Sequence, residues 1–146
     1  MTRQTYLKWP GRIGICLFFC TWALTAQSHE HLLKTPAHPL DRQLDQCFKA
    51  NPGTTSERHC IETLIPRWQE RLNDYYRRLG GDQNALLKNS QTAWVQYAQA
   101  QEAYFREKYN LPGTMYALFF AEARLQLLRH RVLQLESDLL FLEEHR

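Results

Sequence analysis

Leu118, Leu125, Val132 and Leu139 recur every seven residues near the end of the chain, and Ala121, Leu128, Leu135 and Leu142 repeat in step with them. Four heptads with both seam positions apolar dictate a long helix buried along one side. Phe119, Phe120, Leu127, Leu133, Leu140 and Phe141 widen that stripe beyond a two-stranded seam. A helix of a monomeric bundle is therefore expected rather than an isolated coiled coil. Thr114 is its expected cap.

The residues before it read the same way. "HPLDRQLDQCFKA" places Pro39 in a first turn, with Leu40, Leu44, Cys47 and Phe48 at helical spacing. "NPGTT", residues 51 to 55, is a turn, and Thr54 and Glu57 have capping-box spacing. The second helix should run from about Ser56 to Leu79. Its stripe is Ile61, Leu64, Ile65, Trp68, Leu72, Tyr75, Tyr76 and Leu79. Pro66 should kink it near Glu62, and Gly80-Gly81 should end it. Asp82 is the expected cap of a third helix that ends near Tyr109, before "NLPG". No strand runs, internal repeats or low-complexity segments compete. The predicted fold is all-α: a small antiparallel helical bundle of one short and three long helices.

The first 28 residues stand apart. "MTRQTYLKWPGR" carries three positive charges and no acid, and an apolar run of about 14 residues follows, short of the about 20 that a span needs. This order is that of a secretory signal peptide; an uncleaved anchor is the rival reading. Residues 29–37, "HEHLLKTPA", read as a flexible leader, and residues 38–146 as the helical domain. Without Arg3, Lys8 and Arg12 the chain holds 15 basic and 15 acidic residues, so the excess of positive charge disappears. A neutral domain lacks the electrostatic footprint of a nucleic-acid binder. Local pairs such as Arg77-Arg78 and Arg129/Arg131 are expected to be solvated helix faces. Cys47 and Cys60 remain as an even pair in an exported chain, which predicts one disulfide; a metal site beside His59 is the alternative.

A search for chemistry finds no GxSxG, HExxH, CxxC or phosphate-binding Gly loop. His29, His31 and His38 can meet a metal, but solvated residues of a leader explain them. Glu70, Asp74, Glu136 and Glu143 lie near Arg67, Arg71 and Arg129, as ion pairs on exposed faces do. Glu102 reads as a surface acid. Asn73, in mid-helix, and Gln91, on the next helix, are expected to bond to each other or to backbone and fix the register. No catalytic residue, cofactor or metal is assigned.

"RLNDYYRRL", "LLKNSQTAWVQYAQA", "GTMYA" and "LLRHRVLQL" resemble the lysozyme inhibitor LprI N-terminal domain family, once listed as a domain of unknown function. The matching positions are Cys47, Cys60, Leu72, Asn73, Tyr76, Leu79, Leu87, Gln91, Trp94, Tyr97, Gly113, Thr114, Arg131 and Leu135, within residues 44 to 136. The resemblance implies a small helical protein of the bacterial envelope, periplasmic or secreted, that is no enzyme. It also implies a protein partner, lysozyme or another wall-degrading hydrolase, with no nucleic acid, and no membrane after signal cleavage. A structural or partner-binding envelope protein without inhibitory activity is the second reading. Candidate contacts are Arg58, His59 and Lys108. The chain departs from the family at Gln69, where an acid is usual, and at Ala98-Gln99, where an Arg–Asp pair is usual. Glu102 and Ala123 occupy the places of a second cysteine pair. Packing alone is then expected to hold the third helix to the fourth, with Trp94 and Tyr97 facing inward as its anchors.

Overall fold

In the computed structural model, residues 38–145 are described, and they form four helices. These are α1 (Pro39–Ala50), α2 (Thr54–Arg78), α3 (Ala85–Lys108) and α4 (Thr114–Glu144), with a single 3-10 turn at Gly81–Gln83 between α2 and α3. The expected signal peptide and leader, with His29 and His31, lie outside the described residues. No described helix is long and apolar enough to cross a membrane.

The central interface is between α2 and α4. The two run parallel: the Thr54 and Thr114 hydroxyls meet at 2.8 Å at one end, and Arg78 bonds Glu143 at 2.8 Å at the other. Helices adjacent in sequence are antiparallel, so α1 and α3 flank this pair. The periodic positions do what their spacing requires. Ile61, Leu64, Trp68, Leu72 and Tyr75 pack with Leu118, Ala121, Leu125, Leu128, Val132, Leu135 and Leu139 in one core. Trp68, Ile61, Val132 and Leu135 have no accessible surface; each such side chain contributes about 1.5–3 kcal/mol on burial. The widened part of the stripe fares differently: Phe119, Leu140 and Phe141 are exposed, and so is Leu142, the last seam position.

Helix ends correct three expectations. Gly113, not Thr114, caps α4, and Thr114 spends its hydroxyl on Thr54. Asn84, not Asp82, caps α3 by accepting from the Leu87 N–H, while Asp82 accepts from the Tyr76 hydroxyl. In α2 the capping box is half made: Glu57 accepts from the Gly53 N–H, but Thr54 lies inside the helix. The backbone at Gly80 has φ 105°, a left-handed turn that ends α2 as the Gly pair required. The helix itself continues through Pro66.

α1 is tied down three ways. Cys47 and Cys60 form the expected disulfide, with Cα atoms 5.9 Å apart. Asp41 takes a two-pronged bond from Arg129 of α4, at 2.8 and 2.6 Å. Arg129 is thus half of an interhelix pair rather than a solvated cation, and the bond to Asp41 raises its pKa further. Finally, His38 caps α1: its Nδ1 accepts from the Leu40 N–H at 3.1 Å, and its ring stacks on Trp68 at 4.4 Å.

His38 is buried, and desolvation lowers its pKa below 6.5 against the opposing pull of Glu136 and Asp41, while Arg71 and Arg129 lower it further. A neutral imidazole preferred in the fold contributes stability that is complete above the unfolded value, and this is lost as pH falls through the lowered folded one. His38→Asn keeps a capping side chain that does not titrate. Denaturant unfolding of the two proteins between roughly pH 7 and pH 5 should show a steeper loss for the parent protein. Equal slopes would remove His38 from this role.

Candidate functional site

α3 is the helix that the core claims least: it has no fully buried residue. It is held to α4 mainly by polar side chains. Arg131 of α4 is 5% exposed. Its Nε donates to Gln91 Oε1 at 3.0 Å and its Nη2 to Ser90 Oγ at 3.2 Å, both on α3. Nη1 donates to Gln134 at 2.8 Å. Burial lowers the Arg131 pKa, opposed by Asp138. A buried guanidinium without an ion-pair partner is tolerable only when neutral acceptors satisfy its donors, as here. Further along, Glu102 takes Arg124 at 3.4 Å and Arg106 at 3.3 Å. Contrary to expectation, the interface of α3 with α4 is therefore not held by packing alone: an ion pair stands at Glu102, one of the two places where the resemblance set a second cysteine pair.

The expected inward anchors on α3 are only half realised. Trp94 is half-buried against the core, but Tyr97 is 54% exposed. Asn73 and Gln91 do not bond to each other. Asn73 accepts from Gln69 at 3.3 Å, Gln91 is committed to Arg131, and both line an open groove of 380 Å³ between α2, α3 and α4. Trp94, Ala98, Gln99 and Glu102 line it too, so the departures at Gln69 and Ala98-Gln99 fall on one surface.

The other matching positions are structural. Leu72 and Leu135 are core residues, with Tyr76, Leu79 and Leu87 packed on its margin. Gly113 at φ 121° opens α4 in a conformation that a side chain would strain.

The end of the bundle where α3 turns into α4 carries a different surface. Tyr104, Phe105, Tyr109, Phe119 and Tyr116 form a chain of ring contacts with centroids 6.0 to 6.4 Å apart. Tyr104, Leu111, Met115 and Phe119 are exposed. Lys108 is placed over the Tyr109 ring at 5.0 Å. Arg58 shares a shallow pocket with Gly113 and Thr114 and pairs with exposed Glu62 at 3.7 Å. His59 is exposed beside it. The three candidate contacts thus come to one end of the molecule, since α2 and α4 begin there and α3 finishes there. The aromatic chain between them was legible only as a density of rings around "NLPG". Aromatics, Met and cations in one exposed patch are the composition of protein-binding surfaces.

A family model described as lysozyme inhibitor LprI matches residues 47–135, more than half of the chain. No curated protein and no solved structure matches it.

The arrangement makes Gln91 a support for α3. Gln91→Leu leaves the buried Arg131 Nε–H unpaired, at a cost of about 1–3 kcal/mol. Urea unfolding should report that loss, and amide exchange in α3 should accelerate more than in α2. A neutral effect on both would dismiss the clamp.

Proposed function

The chain belongs to the lysozyme inhibitor LprI family, and from that premise we propose that it is an extracytoplasmic binding protein whose partner is a hydrolase that attacks the cell wall. It acts by occupying the enzyme's sugar-binding cleft and performs no chemistry of its own. The family match carries this reading, because it extends from the disulfide through most of the core of α4, to Leu135.

The docking surface is the aromatic end at the turn between α3 and α4. A glycosidase cleft presents paired carboxylates between walls that bind sugar rings. Lys108 and Arg58 supply cations for the carboxylates, and Tyr104, Met115 and Phe119 supply apolar area for the walls. Phe119 is fixed by rings on two sides, so little side-chain entropy is lost when it docks. A formally neutral domain gains little long-range steering toward a basic enzyme, so contact area decides affinity.

The second reading, an envelope protein that binds a partner without inhibition, has support at the opposite end, where Leu140, Phe141 and Leu142 are exposed together. It does not extend to a coiled coil through the heptad seam, since α2 already covers that seam up to Leu139.

Adding the purified protein to lysozyme acting on cell-wall substrate should lower the rate in a stoichiometric way. Phe119→Ala and Lys108→Glu should each weaken inhibition by about tenfold or more with unchanged helix content. Undiminished turnover at large molar excess would reject inhibition of the enzyme tested. Full potency in both variants would move the docking surface elsewhere.

A further inference from the structure

The groove between α2, α3 and α4 is separate from the aromatic end and is not needed to build the core. Its volume, 380 Å³, lies within the range of small-molecule sites. Its walls are unusual for a surface cleft in a charged protein. Carboxamides line it, and the one acid and one arginine at its edge, Glu102 and Arg124, neutralise each other at 3.4 Å. Its floor is apolar, made in part by Leu72, Leu127 and Leu128. Trp94 is half-buried and forms one wall. Among the described residues neither its indole N–H nor the side-chain amide of Gln99 has a hydrogen-bond partner, and Asn73 keeps its side-chain N–H donors free.

We propose that this groove binds a neutral oligosaccharide carrying N-acetyl groups, with the Trp94 indole as stacking platform and the amides of Gln69, Asn73 and Gln99 as hydrogen-bonding partners. Each feature of the site selects for that chemistry. Sugar hydroxyls both donate and accept, and a carboxamide answers both roles with no charge to desolvate. The C–H face of a pyranose is apolar and flat, as an indole face is. An acetamido group adds an amide that pairs with other amides and a methyl that needs an apolar floor. A purely apolar ligand would strand the amides without partners. An anion would find its one cation already taken by Glu102. This reading does not rest on binding of a hydrolase, and either can fail alone.

The test is titration of the purified, isotopically labelled protein with the β-1,4-linked trimer of N-acetylglucosamine, followed by calorimetry and by the Trp94 indole N–H resonance, assigned with Trp94→Phe. Saturable binding with a Kd on the order of 1 mM or tighter is expected, with the Trp94 resonance shifting in step. Gln99→Ala, at an exposed position outside the core, should weaken binding by about tenfold with unchanged thermal unfolding, and Asn73→Ala should act likewise. No saturation, or binding that leaves Trp94 unmoved and Gln99→Ala unaffected, overturns the proposal. Equal affinity for a maltose trimer, which has no acetamido group, overturns the N-acetyl selectivity.

Discussion

The contact between α2 and α4 determines everything else in this molecule. Two long parallel helices bury a ladder of leucines around Trp68, whose ring is closed off completely. Parallel helices cannot be joined by a short turn, so α3 must travel the length of the bundle between them. That obligation explains why α3 is long without being buried. It is a return path first, and its sequence is accordingly free to carry amides, small residues and exposed rings.

A return path still has to be fixed in place, and the chain does so with polar side chains. Arg131 reaches from the buried side of α4 to Gln91 and Ser90, and Arg124 reaches to Glu102. On the other flank Arg129 grips Asp41 of α1. The three arginines occupy one helix and secure both flanking helices. Such bonds are directional, and with α3 held to α4 by them a groove stays open between α2 and α3 beside Trp94.

The same division explains what was legible in the sequence. Periodic apolar residues announce burial, so α2 and α4, their seam and the Cys47–Cys60 staple follow from spacing and composition. Elsewhere burial and periodicity part company. Tyr97 has helical spacing with Trp94, yet it faces solvent because α3 turns only one edge to the core. Phe119 and the Leu140–Leu142 run continue the apolar pattern yet stay exposed near the two ends of α4. Arg131 was the opposite case. Charge suggested the surface, and only the immediate neighbourhood of Val132 and Leu128 on the same helix hinted that its stem enters the core.

The substitution of an ion pair for a second covalent link then bears on function. A disulfide at positions 102 and 123 would fix the separation of α3 and α4 in every state of the protein. The Glu102–Arg124 pair is half-exposed, with side-chain exposures of 35% and 36%, and pairs of this kind contribute at most about 1 kcal/mol. Separation of the two helices at this point is therefore inexpensive. Both surfaces proposed for binding lie beside it, the groove toward Asn73 and Trp94 and the aromatic turn toward Tyr109 and Phe119. A ligand that wedges into the groove acts on the same helix that presents Tyr104 and Lys108.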